Sequence, residues 1–245
     1  MPFHLSADQS ACPRVLVINP NSTVAFTEAM MSALRATDVQ LDFYTAPTDT
    51  APASIEGTYD SVVSAAACLK ELRTEVGKWD GFVVACFSAH PLTNALRELT
   101  SAPVMSILEA PLLYASTLGS RVGILTTSPR WEPLLNHDVA SLHLTGQNAA
   151  GVVSSGLKVL DLESLPREQV MRRLCDKARE ELQDRRQADV IVLGCAGMVG
   201  LDTAIREACR PGMVVLDPVR CALEMCVSLI RIGGKTSKIG IYATA

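Results

Sequence analysis

The chain has 245 residues, of which 48% are hydrophobic and 20% are charged, and its net charge is −4. This composition supports a folded core and excludes a disordered protein. The net negative charge and the lack of any Lys/Arg-rich run argue against a nucleic-acid partner. No apolar run reaches the ~20 residues that a membrane span needs, and residues 1–13 lack the features of a signal peptide. We therefore expect a cytoplasmic protein with no membrane partner.

Predicted strands alternate with predicted helices along the whole chain, after a loose lead-in at 1–13. Strands are predicted at 15–18, 40–45, 81–85, 104–108, 122–125, 152–154, 190–193 and 213–216. Helices are predicted at 24–36, 59–76, 91–99, 110–118, 129–138, 167–183, 203–209 and 218–232, and loops at 46–57 and 146–151. This alternation predicts an α/β fold with parallel sheets and helices on both faces.

Two stretches of the sequence share one form, in which an apolar run ends at a cysteine and a helix follows. The run 81–85 leads to Cys86, and the run 190–193 leads through Gly194 to Cys195. A companion strand lies upstream of each, at nearly the same separation. The sequence therefore predicts a duplicated α/β unit. Ligand sites of such folds lie at the carboxyl ends of the strands, where the N-terminus of the next helix is expected to favour a thiolate.

The eight cysteines are expected to be free thiols, because disulfides are rare in the cytoplasm. Five of them lie on predicted helices and are interpreted as small buried apolar residues: Cys68, Cys175, Cys209, Cys221 and Cys226. For Cys86 and Cys195, structural and functional roles are both open on spacing alone. No Cys-x-x-Cys pair occurs, and His137 and His143 have no ligand cluster around them, so no metal site is predicted.

Four polar residues near the predicted strand ends allow two interpretations each. His90 either acts on the Cys86 thiol or a ligand, or is a solvent-facing residue at a helix start, which we favour. Asn19 either holds a substrate carbonyl or caps a turn, and Thr126 and Thr127 have the same two options. Neither a Gly-x-Gly-x-x-Gly motif nor a complete phosphate-binding loop is present, so the sequence gives no support for a nucleotide cofactor.

Several motifs together resemble the hydantoin and allantoin racemases, which belong to the aspartate/glutamate racemase superfamily. They are 17–22 (Val-Ile-Asn-Pro-Asn-Ser), 54–57 (Ser-Ile-Glu-Gly) with Tyr59 and Asp60, 85–87, Glu109 with Ala110, Thr126 with Thr127, 194–198, and 236–238. The match spans nearly the whole chain. One departure concerns 88–91 (Ser-Ala-His-Pro), where bacterial hydantoin racemases carry an acidic pair and Pro-Gly. This segment is more similar to fungal relatives linked to allantoin and nitrogen use.

The resemblance implies two pseudo-symmetric Rossmann-like lobes with parallel sheets and an active-site cleft between them. Residues 14–112 would form the N-terminal lobe, completed by 228–245, and residues 113–227 the C-terminal lobe. It implies a cofactor-independent racemase of 5-substituted hydantoins, with allantoin as the favoured small-molecule substrate, and we expect a homo-oligomer. Cys86 and Cys195 would be the catalytic acid and base. The implied substrate-binding residues are Asn19, Phe87, Ser88, Thr127, Ala196 and Gly197.

Other functions remain open at this point. Another superfamily activity (an amino-acid racemase, a maleate-type isomerase or an arylmalonate-type decarboxylase) fits the same motifs, as does a protein that binds a metabolite without turnover. Two cysteines favour a racemase or an isomerase, because a decarboxylase needs only one proton donor.

Overall fold

A computed structural model of the chain describes residues 12–34, 38–144, 146 and 148–243. The strands are β1 (Arg14–Asn19), β2 (Gln40–Thr45), β3 (Gly81–Val84), β4 (Val104–Ser106), β5 (Val122–Thr126), β6 (Gly151–Ser154), β7 (Val190–Leu193) and β8 (Val214–Leu216). The α-helices are α1 (Val24–Ala33), α2 (Thr58–Leu72), α3 (Pro91–Leu99), α4 (Glu109–Ala115), α5 (Trp131–Ser141), α6 (Asp161–Ser164), α7 (Arg167–Asp176), α8 (Asp202–Glu207) and α9 (Pro218–Arg231). A π-helical segment, Lys177–Arg185, continues α7, and 3₁₀ turns span Val76–Lys78 and Ala196–Met198.

The strands form two four-stranded sheets with the same topology. The first has the order β2-β1-β3-β4 and the second the order β6-β5-β7-β8, and every pair of neighbouring strands is parallel. These sheets confirm the predicted α/β fold. The bounds of the two lobes, 14–112 with 228–245 and 113–227, remain a prediction.

The central strands of each sheet are buried on both faces, since alternate residues point to opposite sides and both sets are covered. In β1, Val15 and Val17 belong to a core shared by both sheets, and Leu16 and Ile18 belong to a second core. The shared core also takes in residues of β5 and β7 and the inner face of α9, which packs on β3 and β4. Burial on both faces explains why the central strands are continuous apolar runs.

Strand register brings the carboxyl ends of the central strands together. Ile18 of β1 pairs with Val84 of β3, and Leu125 of β5 pairs with Leu193 of β7. The segments that follow β1 and β3 therefore leave the first sheet at one edge, and those that follow β5 and β7 leave the second sheet in the same way.

Most element boundaries agree with the sequence, and the differences are local. The strand predicted at 104–108 ends at Ser106, whose hydroxyl accepts a hydrogen bond from the backbone of Leu108 and so turns the chain into α4. Helix α6 was not predicted, because four residues are too few for a helical pattern. The predicted end of the first helix near 36 and most of the lead-in at 1–13 lie outside the described residues. No helix in the described ranges has the length and apolarity to cross a membrane.

Candidate active site

A cavity lies at the carboxyl ends of the strands of both sheets, and together with the open solvent at its mouth it holds about 440 Å³ of empty space. Its lining residues are Asn21, Phe26, Ile55, Ala85, Cys86, Phe87, Thr127, Trp131, Val159, Gly194, Cys195, Ala196 and Gly197. The lining combines apolar side chains with a few polar groups, and the two predicted cysteines are among them.

Cys86 lies two residues after the end of β3, and its side chain is half-buried. The backbone nitrogen of Ala85 donates a hydrogen bond to the carbonyl of Ile18, which fixes the exit from the strand. The Cys86 Sγ lies 3.2 Å from the hydroxyl oxygen of Ser88. Burial raises the pKa of Cys86 to about 12. The Ser88 hydrogen bond lowers this pKa, and the negative charges of Cys195 and Asp138 raise it.

Cys195 follows β7 after one glycine. The nitrogen of Gly194 donates to the carbonyl of Leu125 at 2.7 Å, and a Cβ at position 194 would lie only 2.9 Å from that same oxygen. Glycine is required here because the backbone of β5 approaches so closely. The chain then turns through Ala196–Met198.

The environment of Cys195 differs from the sequence expectation. Burial raises its pKa to about 12, and the charge of Glu56 also raises it, whereas a backbone hydrogen bond from Gly197 lowers it. The sequence predicted that a helix N-terminus would favour the thiolate, but the net shift of the pKa is upward for both cysteines. The segment after Cys195 is only a short 3₁₀ turn. The loss of solvation, which disfavours the thiolate, outweighs the hydrogen bond from the backbone of this turn.

The remaining predicted site residues divide into two groups. Phe87, Thr127, Ala196 and Gly197 line the cavity together with the cysteines, whereas Asn19 and Ser88 do not. The substrate-binding roles given to all six remain predictions.

The Asn19 side chain is fully buried and is held by three hydrogen bonds. Its Nδ2 donates to the carbonyl of Thr23 and to the hydroxyl of Thr27, both at 3.0 Å. Its Oδ1 accepts from the backbone nitrogen of Asn21 at 3.2 Å. Asn19 therefore orders the loop after β1, and it is Asn21 that this loop brings to the cavity.

His90 is a helix-start residue, as favoured, but the expectation that it faces solvent is wrong. Its side chain is only 2% exposed, and its Nδ1 accepts a hydrogen bond from the backbone nitrogen of Leu92. Its Nε2 is buried without a partner among the described residues. Burial lowers the pKa of His90 to about 4, so the imidazole is neutral at pH 7 and supplies no positive charge near Cys86.

Thr126 does not line the cavity but makes a structural hydrogen bond. Its buried hydroxyl donates to the carbonyl of Gly194 at 3.3 Å and so ties the end of β5 to the segment before Cys195. The neighbouring Thr127 lines the cavity.

Seven of the lining residues were not predicted as site residues: Asn21, Phe26, Ile55, Ala85, Trp131, Val159 and Gly194. Ile55 lies on the loop before α2, and the backbone oxygen of the next residue, Glu56, accepts a hydrogen bond from Arg130 Nε at 2.8 Å. This contact joins the first half of the chain to the second beside the cavity. The sequence could have indicated Asn21 and Ile55, since both lie within motifs that resemble the racemase family, at 17–22 and 54–57.

Metal ligation has no support among the side chains that the structure describes. They contain no group of three or more His, Cys, Asp or Glu residues that could hold an ion.

The chain is similar to known proteins over most of its length. The family model described as Asp/Glu/Hydantoin racemase matches residues 15–226. The chain belongs to this racemase family. A hydantoin racemase from Rhizobium meliloti is 37% identical over 230 residues, which cover 93% of this chain and 92% of that relative. An uncharacterized protein from Schizosaccharomyces pombe is 38% identical over 232 residues, covering 94% and 97%.

A solved structure supports the same conclusion. The crystal structure of allantoin racemase from Pseudomonas fluorescens matches with a TM-score of 0.86 at 33% identity, covering 95% of this racemase and 97% of that chain. The resemblance inferred from the motifs is confirmed, and the protein is a racemase, which is an isomerase.

Proposed function

We propose that this racemase inverts C5 of 5-substituted hydantoins, with allantoin as its natural substrate, and that Cys86 and Cys195 transfer the proton without a cofactor. The observation that carries the proposal is that the two cysteines, from matched positions in the two sheets, line one small cavity. A thiolate at Cys195 would raise the pKa of Cys86.

The chemistry requires two groups on opposite faces of the substrate. Inversion of a stereocentre next to a carbonyl removes a proton from one face and returns a proton to the other, whereas a single base returns the proton to its original face. In the proposed cycle one cysteine enters as thiolate and the other as thiol, and the roles exchange for the other enantiomer. The raised pKa values make each thiolate a stronger base while they reduce its population at neutral pH.

The enolate oxygen that develops at the ring carbonyl needs hydrogen-bond donors. The side-chain nitrogen of Asn21 donates to no other residue in the described ranges, and Asn21 lines the cavity. We assign it to a ring carbonyl oxygen, where one such donor contributes roughly 3 kcal/mol to the transition state in other enzymes.

The choice of allantoin rests on two similarities. The motif at 88–91 resembles fungal relatives, and a protein with the same fold at 33% identity is an allantoin racemase. The cytoplasmic location and the homo-oligomeric state remain predictions beside this proposal.

Two single substitutions test the mechanism. We expect Cys86→Ser and Cys195→Ser each to abolish racemisation. The measurement starts from a single enantiomer of allantoin or another hydantoin and records the loss of its optical rotation with time. Cys221→Ser on α9 is a matched control, because that cysteine is also half-buried but does not line the cavity. Circular dichroism of all three variants checks that the nearly isosteric changes leave the fold intact.

Solvent deuterium separates this function from its rivals. In D₂O the active protein should incorporate deuterium at C5 as the enantiomers interconvert. Full activity in either cysteine variant would reject the two-base mechanism. Turnover of an amino acid or an arylmalonate in place of every hydantoin would reject the substrate, and binding without exchange would reject catalysis.

A further inference from the structure

The two cysteines of the cavity have different hydrogen-bond partners. The Cys86 Sγ lies 3.2 Å from the hydroxyl oxygen of Ser88. No side chain in the described part of the chain makes a hydrogen bond to the Cys195 sulfur, whose partner is the backbone nitrogen of Gly197. Only the Cys86 contact can therefore be removed by a side-chain substitution.

Contacts of the surrounding loop hold Ser88 so that its hydroxyl remains within hydrogen-bond distance of the Cys86 sulfur. Its side chain is 4% exposed, and its backbone nitrogen donates to the carbonyl of Cys86 at 3.0 Å. The next residue, Ala89, donates its backbone nitrogen to Asp138 Oδ2 at 2.9 Å, so α5 of the second half fixes the loop. His90 then caps α3.

The charges around Cys86 make this hydroxyl important. Asp138 on α5 and a Cys195 thiolate both oppose a negative charge on Cys86. His90 is neutral at pH 7 because burial lowers its pKa to about 4, so it does not offset them. Among the described side chains that act on Cys86, the Ser88 hydroxyl is the one that favours the thiolate.

We propose that Ser88 is a positioning residue that orients the Cys86 sulfur toward the cavity and stabilises its thiolate, rather than a substrate ligand. The hydroxyl donates to the thiolate when Cys86 is the base and accepts from the thiol when Cys86 is the acid. This role rests on the proposed function, in which Cys86 alternates between the two forms. The two cysteines then differ in how their thiolates are stabilised, since a side-chain hydroxyl stabilises Cys86 and a backbone nitrogen stabilises Cys195.

The test measures the reactivity of each cysteine separately. Wild type and Ser88→Ala are treated with iodoacetamide at several pH values between 7 and 10, and the alkylation rates of Cys86 and Cys195 are followed by peptide mass spectrometry. Alkylation follows the thiolate population. Loss of the Ser88 hydrogen bond destabilises the Cys86 thiolate, so we expect the alkylation rate of Cys86 to fall about tenfold. We expect the Cys195 rate to stay unchanged in the same sample.

Two variants control for structural effects. Ser88→Thr keeps the hydroxyl and should restore most of the Cys86 rate. Ser106→Ala removes a buried hydroxyl that accepts from the backbone of Leu108 at the end of β4, away from the cavity lining, and should leave both rates unchanged. An unchanged or faster Cys86 rate in Ser88→Ala would overturn the proposal. Equal slowing of both cysteines would also overturn it, because a general structural change would then explain the effect.

The alkylation assay does not depend on turnover. It therefore remains decisive for Ser88 even if no hydantoin proves to be a substrate. If racemisation is observed, kcat/KM of Ser88→Ala should fall for both enantiomers by the same factor, since the equilibrium constant of a racemisation is fixed by symmetry. Its pH profile should also shift to higher pH, and a profile identical to that of wild type would contradict the assignment.

Discussion

The side-chain oxygen of Asn19 accepts a hydrogen bond from the backbone nitrogen of Asn21 at 3.2 Å, and of these two asparagines it is Asn21 that lines the cavity. Both are buried, but their amide groups have different surroundings. The amide nitrogen of Asn19 donates hydrogen bonds to the carbonyl of Thr23 and the hydroxyl of Thr27. The amide oxygen of Asn21 accepts a hydrogen bond from the backbone nitrogen of Thr23. Asn19 thus orders the loop, whereas the amide nitrogen of Asn21, on the cavity wall, donates to no other described residue.

Substitution of Asn21 by aspartate should impair catalysis without unfolding the protein. Asn21→Asp keeps the oxygen that accepts from Thr23 and replaces the amide nitrogen by a second oxygen. The enolate loses a donor and meets a negative charge, so we expect kcat/KM to fall about 100-fold or more. The measurement is racemisation of one allantoin enantiomer at pH 8, together with urea unfolding.

Asn19→Asp is the matched control for that experiment. It removes the donor to the Thr23 carbonyl and the Thr27 hydroxyl inside a fully buried site. We expect the free energy of unfolding to fall by about 2 kcal/mol or more. If Asn21→Asp retained wild-type activity, or lost as much stability as Asn19→Asp, the proposed division of roles would be wrong.

A methyl group at position 197 should disturb the cavity wall. The Cβ of Gly197→Ala would lie 2.8 Å from Phe26 on α1 and 2.8 Å from Leu162 on α6. Both side chains must shift, and Phe26 lines the cavity, so we expect kcat/KM to fall at least about tenfold and the unfolding free energy to fall by about 1–3 kcal/mol. Gly77→Ala is the control, because its Cβ would meet no atom of the described residues within 4 Å. Wild-type kinetics in Gly197→Ala would contradict this account.

Arg130 should affect substrate binding more than the chemical step. Its Nε donates to the backbone oxygen of Glu56, next to Ile55 on the cavity wall. We expect Arg130→Met to raise KM several-fold with little change in kcat, because the loop that carries Ile55 loses its anchor to the second half. The contact is exposed, so the unfolding free energy should change by no more than about 1 kcal/mol.

Arg121→Met provides the comparison for Arg130. Arg121 is also exposed and also donates to a backbone oxygen, that of Arg186, but this oxygen is not next to a residue that lines the cavity. Steady-state kinetics of both variants should show a raised KM only for Arg130→Met. Equal kinetics in the two variants would mean that the loop does not depend on this anchor.

The sequence predicted the strands well because burial on both faces leaves a strong local signal. All eight predicted strands are present, and the central ones are continuous apolar runs such as β3 and β7. The ends of short elements were less predictable. β4 stops at Ser106 because a single serine hydroxyl turns the chain, and such a contact leaves no periodic pattern.

The candidate site was only partly predictable, for a similar reason. Cys86 and Cys195 are found at strand ends that recur in two matched units, and this is visible in the sequence. Phe26 and Trp131 reach the cavity from helices, so their position depends on tertiary packing. The raised pKa values of the cysteines likewise depend on how much protein surrounds them, whereas the sequence showed only the turn after the strand.

His90 should make the protein less stable in acid. Its pKa is lowered from 6.5 to about 4 in the folded state because the imidazole is buried. Between these values the unfolded state binds more protons, so the free energy of unfolding falls as the pH is lowered from 6.5 toward 4. The full difference corresponds to about 3 kcal/mol. The contribution is constant above pH 7, where the imidazole is neutral in both states.

His90→Asn isolates this effect, because asparagine is also a good N-cap for α3 and does not titrate. Urea unfolding at pH 7, 6, 5 and 4 should show a smaller loss of stability in acid for His90→Asn than for wild type, by about 3 kcal/mol at pH 4. His143→Asn is the control, since His143 is exposed and asparagine tolerates its positive φ of 57°. Its curve should run parallel to that of wild type. If the His90→Asn curve were also parallel to wild type, the buried imidazole would not be the group responsible for acid sensitivity.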